Sequence, residues 1–365
     1  MKFYPYGHQQ IDENDIAAVV DVLKSDYLTT GPAVRQFEQS ICDYTGAQYC
    51  VAVSNATAGL HIAALAAGFT EGDEVITSPM TFLSSANCVR FTGGTVRFAD
   101  IDPRTACIAS QEIIRQISPR TKGIIPVHYA GQSCDMETIH RTAQNYGLTV
   151  IEDAAHAIGS DYKDTKVGSC KYSDMTVFSF HPVKTITSGE GGAVTTNSKA
   201  LYDRLCAFRS HGIHNDTGFP AHYYEMRELG FNYRMTDIQA ALGVSQMKKL
   251  DAFKARRREI VDYYNKHLGL PHLEEREYSN ACFHLYPILV KDRDSFFDKA
   301  RNAGLGLQVH YIPVHTQPYY KKLGYNWGDY PKAEEYYRQT ISLPLYPALT
   351  DSDVEEIVRR VRSII

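Results

Sequence analysis

The stretch Met175-Thr176-Val177-Phe178-Ser179-Phe180-His181-Pro182-Val183-Lys184-Thr185-Ile186-Thr187-Ser188-Gly189-Glu190-Gly191-Gly192-Ala193-Val194-Thr195 reads as strand, loop, strand. Two short apolar runs, Met175–Phe178 and Gly192–Thr195, bound a polar loop that carries Lys184. Upstream, the short run Leu148–Ile151 leads into Glu152-Asp153-Ala154-Ala155-His156. Buried strands of this length are the units of a parallel sheet covered on both faces. Ligands of such sheets gather beyond the carboxyl ends of the strands. Asp153 and Ser179 both fall at such ends.

Outward from this segment the same alternation continues. Strands are expected at Tyr49–Val53, Glu74–Ile76, Thr95–Ala99 and Gly123–Val127. Helical spacing marks Thr57–Ala67, Ser84–Phe91, Gln111–Ile117 and Asp135–Tyr146 between them. Before the first strand, Ile16, Val19, Val20 and Leu23 form one helical stripe after an Asp12 cap. Val34, Phe37 and Ile41 form a second, after Gly31-Pro32 breaks the pattern. The fold class is therefore α/β, a mostly parallel sheet layered by helices.

A long helical pattern runs from Thr236 to about His267 and ends near Gly269-Leu270-Pro271, a turn that suits a domain boundary. The remainder reads as a smaller α/β unit. Its strands are expected at His284–Val290 and Leu307–Val309, and its helices at Ser295–Ala303, Ala333–Gln339 and Asp351–Ile364. We divide the chain into a large domain over 1–250 and a small C-terminal domain over 251–365. A length of 365 residues is more than one core usually holds.

Composition narrows the function. Hydrophobic residues make up 44% and charged residues 22%, as in ordinary soluble proteins. The net charge of −4 and the lack of a basic stripe argue against nucleic acid. The Lys254–Arg258 cluster lies on a predicted helix, where Arg256, Arg257 and Arg258 are expected on a solvated face. No signal-peptide core or membrane-length apolar run is visible. Eight scattered cysteines have no close metal-type pairing and read as reduced packing residues, so no metal is expected.

A lysine amine can form a Schiff base with an aldehyde. A carboxylate directly after a buried strand can keep a pyridine nitrogen protonated, so that the ring serves as an electron sink. Lys184 and Asp153 together read as a site for pyridoxal 5′-phosphate (PLP). Ser54-Asn55-Ala56-Thr57-Ala58-Gly59 joins a strand to a helix, whose first amides and Thr57 hydroxyl can hold a phosphate. Ser179 can donate to the same phosphate. Met80-Thr81-Phe82 offers a ring for the pyridine face, and His156 can reach the cofactor's phenolic oxygen. Each has a plainer reading as cap, ion pair or core residue; the set gives them weight.

This set resembles the DegT/DnrJ/EryC1/StrS family of sugar aminotransferases, fold-type I PLP enzymes, over essentially the whole chain. The matching motifs are Asn55-Ala56-Thr57, Met80-Thr81-Phe82, Glu152-Asp153-Ala154-Ala155-His156 and Phe178–Lys184. Gly189-Glu190-Gly191-Gly192, Phe208-Arg209-Ser210-His211-Gly212 and Gly230-Phe231-Asn232-Tyr233-Arg234-Met235 extend them. The resemblance implies that Lys184 joins the cofactor aldehyde, Asp153 pairs with the ring nitrogen and Phe82 stacks on the ring. It implies that Ala56, Thr57 and Ser179 hold the phosphate. Asn232 would reach the phosphate in the neighbouring subunit of a homodimer with shared active sites. Many members have Gly at Ala56 and Gln at His156, two departures that touch fine geometry.

The implied reaction moves an amino group from L-glutamate, through PLP and its aminated form PMP, to a nucleotide-linked keto sugar. Tyr6, the turn Asp26-Tyr27-Leu28-Thr29 and the run Gln308-Val309-His310-Tyr311 are the sugar-nucleotide candidates, with Ala56, Ser179 and Asn232 at the phosphate side. They resemble a branch of the family in bacterial pseudaminic acid biosynthesis. That branch aminates C4 of a UDP-4-keto-6-deoxy-N-acetyl-L-hexosamine, giving UDP-4-amino-4,6-dideoxy-N-acetyl-β-L-altrosamine, which implies a cytoplasmic enzyme acting on a surface-glycan precursor. Alternatives are aminotransferases for another keto sugar, linked to dTDP or GDP and acting at C3 or C4. Lys184 argues against a dehydratase of the same fold, whose members have His there. A PLP-binding regulatory protein would be expected to lose Lys184 or Asp153 or to carry a DNA-binding domain. A dinucleotide-binding protein would want Gly-x-Gly-x-x-Gly after its first strand, which is absent.

Overall fold

A computed structural model describes residues 2–214, 220 and 222–365. Seven strands form the central sheet: β1 (Tyr49–Val53), β2 (Glu74–Thr77), β3 (Thr95–Phe98), β4 (Thr121–Ile125), β5 (Thr149–Asp153), β6 (Met175–Ser179) and β7 (Gly192–Thr196). Their order across the sheet is β1-β7-β6-β5-β4-β2-β3. The neighbours from β6 to β3 pair in parallel, while β7 runs antiparallel to both β1 and β6. β7 returns directly from the Lys184 loop without a crossover helix, which is why it alone runs the other way.

Both faces of this sheet are buried, and side chains alternate between them. Val51, Val53, Val177 and Val194 pack into one core cluster, while Cys50, Ala52, Phe178 and Ala193 pack into another. The helices α1 (Glu13–Leu23) and α2 (Pro32–Thr45) lie on the second face. Asp12 caps α1 by accepting from the backbone N–H groups of Asn14 and Asp15. The helix α3 (Ala56–Ala66) lies against the first face. A Cβ on Gly59 would come within 3.0 Å of Val177, so the missing side chain lets α3 settle closely on the strands.

The expected long helix over Thr236–His267 is two helices, α4 (Asp237–Met247) and α5 (Leu250–His267). No Gly or Pro marks the break. Tertiary contacts stand there instead: Lys249 Nζ lies 2.6 Å from Asp12 and 2.7 Å from Asp15, and Gln246 Nε2 donates to Asp15. α5 carries Leu250 and Phe253 into the sheet-side cluster and Ile260, Val261 and Tyr264 into a later one. Arg257 is fully buried, which corrects the expected solvated face. It donates to the backbone carbonyls of Phe283, His284 and Leu345.

In the C-terminal part, the strands Tyr286–Leu289 and Thr340–Leu343 pair antiparallel. The expected strand at Leu307–Val309 is not formed. Leu305–Gly306 instead pairs with Tyr4–Pro5, and Gln308 makes a single bridge to Ser342. Pro5 has no N–H to extend the first ladder, so it ends after two residues. Among the described residues no helix is long and apolar enough to cross a membrane.

Candidate active site

Lys184 sits in the loop between β6 and β7, where its backbone N–H donates to the His181 carbonyl at 2.9 Å. The Thr187 hydroxyl and the Ser188 N–H both return to the Phe180 carbonyl, at 2.9 and 3.0 Å, and fix the far limb of the loop. Burial pushes the Lys184 amine down to about 8, against the opposing pull of the Asp153 carboxylate. An amine in that range is partly neutral near pH 8 and can both attack a carbonyl and carry a proton.

Asp153 ends β5 and is only 5% exposed. Its Oδ1 accepts from the Ala155 N–H at 3.1 Å and its Oδ2 from the Ser85 hydroxyl at 2.5 Å. Ser85 Oγ also lies 2.7 Å from Thr81 Oγ1, so a hydroxyl pair backs the carboxylate. Behind it, Glu152 points to the other side of the strand and meets His128 at 2.6 Å. One dipeptide therefore supplies two buried carboxylates with separate partners, because successive residues of a strand face opposite ways.

Three histidines gather beside the Lys184 amine. His284 Nε2 lies 3.5 Å from Nζ. The His156 ring sits 4.5 Å from that of His284, and the burial of both rings, with the Lys184 charge, drives them well below the usual imidazole range. Burial, again with Lys184, lowers His310 to about 3. All three are neutral at physiological pH. His156 Nδ1 accepts from the Ala130 N–H at 3.3 Å, and Nε2 meets the Tyr311 hydroxyl at 2.9 Å. Both its nitrogens are thus engaged within the chain, so the expected bond to a cofactor oxygen requires Tyr311 to give way.

At the other end of the site, Asn55 caps α3, its side chain accepting from the Ala58 N–H at 2.9 Å. The amides of Ala56 and Thr57, at the first two helical positions, have no intrahelical acceptor. A Cβ on Gly192 would lie 2.6 Å from the Ala56 nitrogen, so the start of β7 runs directly beneath this turn. Thr57 Oγ1 lies 2.6 Å from Ser84 Oγ, and Ser179 is buried, its Oγ accepting from the His181 N–H at 3.5 Å. Phe82 is 57% exposed although it follows the buried Met80 and Thr81, and its ring lies 6.0 Å from that of Tyr311. A buried carboxylate, a half-buried lysine amine, a helix N-terminus and an uncovered aromatic ring fit PLP. Asp153 would face its ring nitrogen, Phe82 its face, and Ala56, Thr57 and Ser179 its phosphate.

Of the sugar candidates, Tyr6, His310 and Tyr311 come together: the Tyr6 and His310 rings are 5.1 Å apart, and Tyr311 stacks on His156. Gln308 and Val309 precede them, with Gln308 exposed. The turn Asp26-Tyr27-Leu28-Thr29 lies apart. It is exposed and tied to the start of α4, where the Asp237 N–H donates to the Leu28 carbonyl and Thr29 bridges Thr236. Asn232 is likewise exposed and bridges Ser210. Sequence reasoning missed Ser85 and the role of His284. Ser85 follows Thr81 at helical spacing and had that much signal; nothing local sets His284 apart from a strand residue.

Residues 9–362 match the DegT/DnrJ/EryC1/StrS aminotransferase family. The spore coat polysaccharide biosynthesis protein SpsC of Bacillus subtilis is 40% identical over 382 residues, covering 100% of this chain and 97% of SpsC. Helicobacter pylori PseC, an aminotransferase involved in the biosynthesis of pseudaminic acid, superposes with a TM-score of 0.94 at 32% identity, covering 100% of this chain and 99% of PseC. The Streptococcus pneumoniae protein Spr1654, a sugar aminotransferase by name, superposes in its PMP form with a TM-score of 0.93 at 29% identity, covering 99% and 98%. Such a fold around such a site defines a PLP-dependent sugar aminotransferase. More particularly, this chain belongs to the DegT/DnrJ/EryC1/StrS aminotransferase family.

Proposed function

We propose that this enzyme transfers the amino group of L-glutamate to C4 of a UDP-linked 4-keto-6-deoxy-N-acetyl-L-hexosamine, as a step towards pseudaminic acid. The full-length likeness to PseC carries the choice of sugar. The wall of Tyr6, His310 and Tyr311 beside the Lys184 amine supports it, because a sugar needs stacking surface and neutral hydrogen-bonding groups. PLP, when bound, supplies the electron sink.

In this reading Lys184 Nζ takes the proton from the α-carbon of glutamate and later delivers one to C4 of the sugar. Asp153 would pair with the ring nitrogen of bound PLP, with Ser85 and the Ala155 N–H keeping the carboxylate in place. The neutral histidines exclude water without adding a second cation beside the amine. 2-Oxoglutarate leaves before the keto sugar enters, so the kinetics are ping-pong. The exposed Asn232 and Asp26–Thr29 would complete the site of a second subunit in a homodimer.

SpsC, at higher identity than PseC, favours a second reading in which another nucleotide-linked keto sugar of a surface polysaccharide is the acceptor. One experiment separates the two. The holoenzyme is incubated with L-glutamate and a panel of UDP-, dTDP- and GDP-linked keto sugars, and the aminated products are identified. Turnover of the UDP-4-keto-L-hexosamine at least tenfold above the rest is expected; preference for a dTDP-sugar would overturn the proposal.

A further inference from the structure

Most buried histidines that serve packing alone have their ring nitrogens satisfied. His156 meets that standard, with Ala130 on Nδ1 and Tyr311 on Nε2. His284 does not. It is 3% exposed, its backbone N–H is fixed to the Ala130 carbonyl at 2.9 Å, and its Nδ1 is buried without a hydrogen-bond partner. The other nitrogen, Nε2, is spent on the Lys184 amine at 3.5 Å.

Resting on the assignment of Lys184 as the reactive amine, we propose that His284 is a positioning residue. Its Nε2 accepts a hydrogen bond from the free Lys184 amine and sets where that amine rests whenever it is not joined to a carbonyl. An ammonium group has only donors, so the facing nitrogen must be the acceptor and the ring proton must sit on Nδ1. That places the ring's unmatched donor on the side away from the chemistry.

The other groups around the amine do not take this place. Asp153 acts on it through charge, and no hydrogen bond joins the two. His310 commits Nδ1 to Ser342 at 2.9 Å, and His156 is filled. Arg257 stands behind His284 and donates to its carbonyl at 3.3 Å, while burial first, then the Lys184 charge, and to a smaller extent Arg257 keep the imidazole from taking a proton of its own. Lys184, once released, therefore meets a neutral ring and not a competing acid.

The test uses full-length protein stripped of PLP. Trace labelling of Lys184 with acetic anhydride is read by mass spectrometry from pH 6 to 10. In the wild type the labelling midpoint is expected near 8. His284→Phe removes the acceptor, so the neutral amine gains. A midpoint about one unit lower, or about fivefold faster labelling at pH 7 relative to the high-pH plateau, is expected. His284→Gln, whose carbonyl can accept, should keep the wild-type midpoint; His284→Leu repeats the test if the Phe variant does not fold. A midpoint unchanged or raised in the Phe or Leu variant overturns the proposal, even if the plateau rate changes, because a merely lining ring alters access at every pH. Failure of borohydride to trap PLP on Lys184 in the wild type would instead sink the assignment of the amine itself.

Discussion

Ser85 Oγ lies 2.5 Å from Asp153 Oδ2, across the gap between the helix Ser84–Phe91 and the end of β5. The second carboxylate oxygen is taken by the Ala155 N–H, two residues along the same chain. Asp153 is thus held from two directions before any ligand arrives. A carboxylate so fixed has its orientation set in advance, and little reorganisation remains when positive charge appears opposite it.

Replacing Asp153 with Asn keeps the shape and removes the charge. We expect kcat to fall about a hundredfold or more, on the scale of losing a preorganised electrostatic partner. Ser85→Ala removes one hydrogen bond to a charged group, and a loss of about tenfold in kcat/KM is expected. Steady-state rates with glutamate and the preferred keto sugar measure both. A Ser85→Ala loss equal to that of Asp153→Asn would mean that the serine touches the reacting ring directly.

Lys184→Met should abolish turnover, by about a thousandfold or more, and prevent covalent capture of PLP on borohydride treatment. Its effect on stability has a definite sign. The folded chain holds the amine near 8 through burial, below the usual lysine value, so the charged form is disfavoured on folding. That penalty is fully present below pH 8 and fades as pH rises through the window between about 8 and 10.5. PLP-free Lys184→Met should therefore have a higher Tm than PLP-free wild type at pH 7, with the gap closing above pH 10. Thermal scans across that range decide it; a lower Tm at pH 7 would contradict the burial argument.

Tyr311→Phe leaves the stack on His156 and removes the hydroxyl that meets Nε2 at 2.9 Å. A buried polar atom then loses its partner on the wall assigned to the sugar, at a cost of about 1–3 kcal/mol. Because the same hydroxyl lies on the wall assigned to the sugar, its loss should raise KM for the keto sugar about tenfold, about 1.4 kcal/mol of affinity. Conversion of PLP to PMP by glutamate alone, followed by absorbance, should change less than twofold. An equal loss in both half-reactions would place Tyr311 against the cofactor.

The sheet was legible because its strands are short apolar runs at a regular interval with helical spacing between them. Val51, Val53, Val177 and Val194 needed only their period to be placed. Asp153, Ser179 and Lys184 were legible because strand ends are where this architecture puts ligands. The break between α4 and α5 was not, since Asp12 and Asp15 act on Lys249 from more than 200 residues away in sequence. His284 was hidden for the same reason. Its local pattern is that of a strand residue, and only the tertiary fold brings it to Lys184. The strand assigned to Leu307–Val309 failed because the ladder that Leu305–Gly306 forms with Tyr4–Pro5 stops at the proline before reaching it.

Arg257 links that hidden histidine to the stability of the chain. Its guanidinium is fully buried, and burial lowers it to about 10. It donates to the carbonyls of Phe283, His284 and Leu345 at 3.2, 3.3 and 2.9 Å. Arg257→Ala would leave three carbonyls unpaired around a void, at a cost of about 1–3 kcal/mol each, offset in part because the buried guanidinium's Nε and Nη2 have no partner of their own. Arg257→Met restores most of the volume and should recover about 1–2 kcal/mol of that loss by packing alone. Urea unfolding midpoints at constant slope give the comparison. If the loss were only that of the cavity, the Met variant would match the wild type, and the hydrogen bonds that hold the His284 backbone would carry no weight in the fold.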